Sequence, residues 1–321
     1  MYCIKGPKSY YDYENIEPKF NDCEKYEIKK SLGRGKYSDV YMAIDATTDR
    51  LVVIKLLKPV RKVKISREIC ILQAIKGGPY IIELLDICMD QMSKTPSLIF
   101  EHFSPISLKQ IMLNLSDHDI RNYMYQIIVA LDYSHSRGIM HRDVKPMNII
   151  VDTNMKTLKL IDWGLSEFYI YEKEYNTRVS SRPYKSPELL LNYQLYDFSM
   201  DIWSLGCMLA AMLFKKDHFF LGRDNQDQLA KIVAVLGSND FFDYIKKYQI
   251  VIEAQDYALY KNKPKIPFKN FINEEVADLC TDDALDLLSK MLLYDHNERI
   301  LAREALKHPY FDPIRSQFEN K

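Results

Sequence analysis

Glycine is scarce, with 10 residues in 321, where about 7% of a chain is usual. That excludes glycine-rich linkers and makes each glycine a mark of a backbone position that needs it. Cysteine is sparse as well. Cys3, Cys23, Cys70, Cys88, Cys207 and Cys280 are scattered with no C-x-x-C pair. The pattern argues against a disulfide frame and reads as reduced thiols, with the cytoplasm and nucleus as the expected location. Net charge is absent: 44 Lys and Arg balance 44 Asp and Glu. A neutral chain lacks the basic face that nonspecific nucleic-acid binding needs, so no direct nucleic-acid partner is expected. Long apolar runs are missing too. The longest, Leu205 to Phe214, falls short of the roughly 20 residues that span a bilayer. The opening MYCIKGPKSYYDY has no apolar segment of a secretory leader, so no membrane role is expected.

What is present is the composition of a globular protein, 47% hydrophobic and 27% charged, long enough for one large domain or two smaller ones. Three β-rich runs come first, Tyr26–Leu32, Val40–Ile44 and Leu51–Leu57, and read as an antiparallel meander. A helical pattern follows over Val63–Lys76, with Ile65, Ile69 and Leu72 on one face, and Gly77-Gly78-Pro79 stops it. Two further strands are expected at Ile81–Cys88 and Leu98–His102. Beyond Pro105 the pattern turns helical. Ser116 caps a long helix with the stripe Ile120, Met124, Ile127, Ile128 and Leu131, ended by Gly138. Asp201–Phe214 is apolar nearly all round and reads as a buried helix. Helices are also expected at Asn225–Leu236, Asp282–Leu293 and Ala302–Lys307. The plan is α+β: a small β-rich lobe with one main helix, a hinge near Glu101–Ser104, and a larger, mostly helical lobe.

Several short stretches carry chemistry. GRGKYSDVY, Gly33 to Tyr41, lies between two strands. It is either a tight hairpin or a phosphate cradle in which glycines let backbone amides approach the oxygens. VVIK ends in Lys55, a cation on an apolar strand, with Glu68 offered as partner by the next helix. HRDVKPMN, His141 to Asn148, is the strongest signal. Asp143 can accept a hydroxyl proton, Lys145 can neutralise a transferring phosphoryl group, and Asn148 supplies a neutral oxygen for Mg²⁺. In LIDWGLSEF, Asp162 is a second, anionic metal ligand and Gly164 permits a sharp exit. Glu188 of SPELL and Arg299 can pair inside the large lobe, and Asp201 of DIWSLG can accept backbone N–H groups of the HRD loop.

Taken in order, G-x-G-x-x-S-x-V, VVIK, Glu68, HRDVKPMN, DWG, SPE, DIWSLG and Arg299, the motifs resemble those of eukaryotic protein kinases. The lysine of HRDVKP looks like the serine/threonine branch. More narrowly, the chain resembles casein kinase II catalytic alpha subunits. The matching phrases include LGRGKYSDV, GGPYII, TPSLIFEH, ALDYSHSRGIMHRDVKP, LIDWGLSEFY, EYNTRV, YDFSMDIWSLGCMLA and YDHNER, and the likeness runs from about Tyr10 to Phe311. It implies the bilobal kinase fold, divided into an N-terminal segment of residues 1–25 packing on the core, a nucleotide-binding lobe of residues 26–103 and a catalytic and peptide-binding lobe of residues 104–321. It implies ATP and Mg²⁺ as cofactors, with GTP as an alternative donor. Leu32, Gly33, Arg34, Gly35, Lys36, Tyr37 and Ser38 would cover the nucleotide. Val40, Val53, Ile150 and Ile161 would sandwich the base, beside Phe100 and the hinge residues Glu101 and Phe103. Lys55, held by Glu68, would grip the phosphates.

The stretch KPVRKVKISREI, Lys58 to Ile69, holds five cations. A solvated helix face is the plain reading. A second basic set, Arg178, Arg182 and Lys185, follows the DWG motif, and two clusters flanking one site suggest a cleft that selects acidic peptides. The resemblance implies that Arg61, Lys62 and Lys64 read an acid three residues beyond the target, and Arg178 and Lys185 the next residue. Val63 and Ser66 stand where the family usually has lysine, so the acidic preference should be weaker. The Tyr-rich SYYDYENIEPKF resembles the family's arm that docks on the loop after DWG and on the Glu68 helix, implying constitutive activity. Thr177, Ser180 and Ser181 remain available for regulation by phosphorylation. A regulatory beta-subunit dimer, forming a heterotetramer, is implied at the small lobe near TPSLIF. The alternatives are a pseudokinase scaffold, a small-molecule kinase, and a cousin from the cyclin-dependent or mitogen-activated groups.

Overall fold

The computed structural model describes residues 10–59, 61–103 and 106–319. Residues 1–9 of the expected arm, Val60 of the basic stretch and the expected hinge residue Ser104 lie outside the described residues.

The chain builds two lobes. The small one is an antiparallel sheet of β1 (Tyr26–Arg34), β2 (Ser38–Asp45), β3 (Arg50–Leu57), β4 (Leu84–Met89) and β5 (Pro96–Glu101), in the order β1-β2-β3-β5-β4. Helix α1 (Lys62–Ala74) lies between β3 and β4 in sequence. Alternation along β3 sorts its side chains. Val52 and Ile54 join Ala43, Cys88 and Ile99 in a cluster on one face. Val53, Lys55 and Leu57 take the other face, toward α1 and the large lobe. The expected strand at Ile81 begins only at Leu84, because residues 80–82 are drawn off to the large lobe. Leu160 N–H donates to Tyr80 O at 2.8 Å, and Ile82 N–H to Leu160 O at 3.2 Å. These bonds sew the lobes together beside the hinge.

The large lobe holds β6 (Ile106–Ser107), α2 (Leu108–Ile111), α3 (Asp117–Ser136), β7 (Ile139–Met140), β8 (Ile149–Asp152), β9 (Thr157–Leu160), β10 (Glu167–Phe168), α4 (Pro187–Leu190), α5 (Ser199–Leu213), α6 (Asn225–Leu236), α7 (Ser238–Lys247), α8 (Tyr257–Tyr260), α9 (Asp282–Met291), α10 (Ala302–Ala305) and α11 (Asp312–Glu319). Ser116 caps α3 by accepting from Asp119 N–H. Every residue of α5 is buried, so it forms the lobe's axis, as its all-round apolar sequence predicts. Each fully buried Leu or Met there contributes about 1.5–3 kcal/mol. Glu188 and Arg299 meet beside it in a fully buried two-pronged ion pair, 2.7 Å at each prong. Helix α7 was not anticipated, and neither were the pairings within the short ribbons β6-β8-β9 and β7-β10, whose two- to four-residue strands carry too little alternation to read. Among the described residues no helix is long and apolar enough to cross a membrane.

Candidate active site

The cleft between the lobes collects the expected residues, starting from β3. Lys55 Nζ donates to Glu68 Oε1 at 2.7 Å and to Asp162 Oδ1 at 2.8 Å. Glu68 is on the buried face of α1, so the helix must sit close for the pair to form. Burial alone would pull the Lys55 ammonium down, but Glu68 and Asp162 outweigh it and hold it above its ordinary value. Burial likewise pushes the Asp162 carboxyl up, and the Lys55 ammonium overrides it, keeping the group below the usual carboxylate range.

The DWG turn differs in detail from the expectation. The left-handed residue is Asp162, at φ 62°, not Gly164. Gly164 lies close to α1: a Cβ there would come to a tight 3.2 Å from Oε2 of Glu68, the glutamate that holds Lys55.

The floor of the cleft is the loop His141–Asn148. Asp201 Oδ2 accepts His141 N–H and Oδ1 accepts Arg142 N–H, both at 2.8 Å, and His135 Nε2 lies 3.0 Å from Oδ2. Burial opposes the charge on Asp201, yet these donors hold its carboxyl below the ordinary range. Asp143 N–H donates to His141 Nδ1, so the ring proton is on Nε2 and points to Ile161 O at 3.1 Å. Burial, only partly offset by Asp201, lowers the His141 imidazole and keeps it in this neutral form. The same loop then gathers its polar ends. Lys145 Nζ donates to Asp143 Oδ2 at 2.7 Å and to Ser181 Oγ at 3.1 Å, and the Ser181 hydroxyl reaches Asp143 Oδ1 at 3.2 Å. Asn148 Nδ2 donates to Asp143 O and Oδ2.

Asn148 and Ile161 face each other where β8 and β9 begin their pairing, with Ile161 N–H donating to Asn148 O at 2.9 Å, and Asp162 is the next residue along. With both amide protons of Asn148 engaged, its Oδ1 remains an acceptor; Asp162 keeps a second oxygen, and its side chain is open to the cleft. One neutral and one anionic oxygen fit Mg²⁺, which takes one or two protein ligands and completes its shell with water and phosphate.

The expected nucleotide wall also converges. Phe100 is buried, and Val53, Phe103, Ile150 and Ile161 are half-buried against the core. Val40 pairs with Lys55 across β2 and β3. Glu101 is fixed by Glu83 N–H at 2.9 Å and Lys159 Nζ at 2.8 Å. Leu32, Gly33, Arg34, Gly35, Lys36 and Tyr37 are exposed, and Ser38 is half-buried.

The cationic residues divide. Arg61, Lys62 and Lys64 are exposed on the first turn of α1, and Arg178 and Arg182 are exposed after DWG. Lys185 corrects the expectation that it faces a peptide. It is buried, with Nζ donating to Val179 O at 2.5 Å and Thr177 O at 3.3 Å, so it braces the loop from inside. Ser66 is buried as well, one helical turn beyond Lys62 on the same side of α1. The hydroxyls considered for phosphorylation are turned inward: Thr177 Oγ1 bonds Asn192, Ser180 Oγ is buried, and Ser181 bridges Asp143 and Lys145.

Several residues the motifs did not single out complete the assembly. Glu167 accepts from Tyr13 OH at 3.1 Å and Arg67 Nη1 at 3.1 Å, while Arg67 Nη2 reaches Gly164 O. Arg142 donates to Leu165 O and to Tyr196 OH. Tyr10 and Tyr13 pack on Phe168. The described part of the arm therefore packs on β10 and is linked through the Glu167–Arg67 pair to α1 and the DWG turn. The available signal was the adjacent pair Arg67-Glu68, two charged residues that a helix directs to different sides.

A lysine–glutamate pair on strand and helix, an anchored aspartate loop and two oxygen ligands at a glycine-roofed cleft are the working parts of a phosphotransferase. The family model of the protein kinase domain matches residues 26–311. The chain belongs to the protein kinase family, and its activity class is kinase. Protein kinases use ATP with Mg²⁺.

Proposed function

We propose that this chain is a serine/threonine protein kinase of the casein kinase II alpha type, transferring the γ-phosphate of ATP to hydroxyls in acidic sequence contexts. The observation that carries the acidic preference is the first turn of α1. It has Arg61, Lys62 and Lys64 at the end where the helix dipole is already positive, and no acidic residue. Cations there work against the dipole by about 0.3–1 kcal/mol each. An anionic ligand relieves that repulsion and gains the charges. Arg178 and Arg182 supply the second cationic edge, beside Ser181.

In this reading Lys55 grips the phosphates and Glu68 fixes it. Asn148 and Asp162 hold the Mg²⁺, which neutralises phosphate charge when bound. Asp143 orients the substrate hydroxyl and takes its proton as the oxygen bonds the γ-phosphorus and the bond to the leaving ADP breaks. Lys145 steadies the charge on the transferring group. Lys145, the lysine of HRDVKP, sits 2.7 Å from Asp143 and supports a serine/threonine acceptor by likeness to that branch. The arm contacts at Glu167 support activity without loop phosphorylation. By family likeness the proposal extends to a beta-subunit dimer at the small lobe, GTP as second donor, and residence in cytoplasm and nucleus.

The test is the purified chain with Mg²⁺, labelled ATP or GTP, and matched acidic, neutral and basic peptides bearing Ser, Thr or Tyr. Preferential labelling of Ser or Thr beside acids is expected. Equal turnover of acidic and basic peptides removes the acidophilic reading, and labelling confined to Tyr removes the serine/threonine one.

A further inference from the structure

Five cations open the question of the segment Lys58 to Ile69. Three are exposed on the first turn of α1, and Arg67 is taken up by Glu167 and Gly164. Lys58 has a different set of partners. Its backbone N–H donates to Tyr37 O at 2.9 Å. Its ammonium donates to Gly35 O at 2.7 Å and lies 3.0 Å from Asp39 Oδ1, an ion pair without hydrogen-bond geometry.

The loop it grips has little else to hold it. Every residue from Gly33 to Tyr37 is exposed, and the turn closes on itself through one bond, Gly35 N–H to Ser38 O at 2.8 Å. Among the described residues, Lys58 is the one side chain bonded to a carbonyl at the loop tip.

The direction of the grip matters. Asp39 pairs with Leu56, and Val40 with Lys55, so Asp39 and Lys55 point to opposite faces of the sheet. By reaching Asp39, Lys58 acts from the face away from Lys55. A trans peptide unit sets its C=O and N–H in opposite directions. Holding the Gly35 carbonyl toward the back face therefore turns the next amide, Lys36 N–H, toward the face that bears Lys55.

We propose that Lys58 is a positioning residue for the nucleotide: by pinning the Gly35 carbonyl it aims the Lys36 amide at the phosphates. This rests on the reading of the loop as a roof over the triphosphate. The first cation of the segment thus serves the donor, and the next three serve the acceptor.

The test compares wild type, Lys58→Met, Lys58→Arg and Asp39→Asn. ATP is titrated at saturating acidic peptide, and peptide at saturating ATP. Hydrogen exchange of the amides of residues 33–38 is followed with and without a non-hydrolysable ATP analogue, and melting temperatures confirm folding. In Lys58→Met the KM for ATP should rise about three- to tenfold, the scale of the net contribution of one ordinary hydrogen bond, with the peptide KM unchanged and faster loop exchange. Lys58→Arg should restore most of the loss, and Asp39→Asn, which keeps the Gly35 bond, should shift the KM less. Unchanged ATP KM and loop exchange would overturn the proposal, as would a peptide KM that rises as far as the ATP KM. If the nucleotide analogue gives wild type no loop protection, the roof reading fails, while exchange in the free protein still reports whether Lys58 holds the loop.

Discussion

The floor of the cleft and its roof are held by different means. In the floor, His141, Arg142, Asp143 and Asn148 are buried, and one buried carboxylate, Asp201, fixes two successive backbone amides. In the roof, Gly33 to Tyr37 are exposed and tied mainly through Lys58. The floor holds the residues that must meet a reacting hydroxyl within hydrogen-bond reach, where small misplacements cost rate. The roof must let a nucleotide in and its product out, which favours an element of low local stability. The contrast teaches that the two halves of the site should fail differently.

The hardest way to break the floor is to remove a group that meets the phosphates. Asp162→Asn should lower single-turnover transfer by on the order of 10³-fold or more, with the melting temperature nearly kept. Activity within tenfold of wild type would refute the ligand role. Next in size, Asp201→Asn leaves one oxygen where two accept backbone N–H groups. A loss of about 3 kcal/mol in urea unfolding is expected, together with a lower kcat. A stable, fully active variant would mean the loop is held by something else.

Moving outward, Arg61, Lys62 and Lys64 changed together to Ala should raise the KM for acidic peptides about tenfold, leaving neutral peptides and the ATP KM unaltered. The melting temperature should hold or rise, since three cations leave the positive end of α1. A matching loss on neutral peptides would contradict the charge-reading role.

The smallest effect is with pH. Burial holds the His141 imidazole below its ordinary value near 6.5. Between those two values the unfolded chain binds a proton that the folded chain refuses, so acidification favours unfolding. Melting temperature should fall as pH drops from about 6.5, and the slope should shrink in His141→Gln. His218 and His296 are lowered by burial too and contribute in the same sense. An unchanged slope would remove His141 from the account.

The parts legible in the sequence were those whose chemistry sits in one short run. HRDVKPMN brings Asp143, Lys145 and Asn148 together almost by chain geometry, and the periodicities of β3 and α5 are strong enough to show which faces are buried. The parts that were not legible join distant positions or backbone atoms. Glu167 meets Arg67 and Tyr13 from far along the chain, and Lys58 bonds a carbonyl, which leaves no trace in residue type. Lys185 looked like its exposed neighbours in sequence, and only tertiary packing turned it inward. Gly164 was assigned to a turn, although its close neighbour is Glu68, which lies on a different element.

The arm contact has a consequence for synthesis. Tyr13 precedes its acceptor Glu167 by 154 residues. At translation rates of roughly 5–20 residues per second, the arm leaves the ribosome some 8 to 30 s before β10 exists to receive it. For that interval Tyr10, Tyr11 and Tyr13 are uncovered aromatic rings on a nascent chain. The contact is therefore closed late, by a ring made 154 residues before its acceptor.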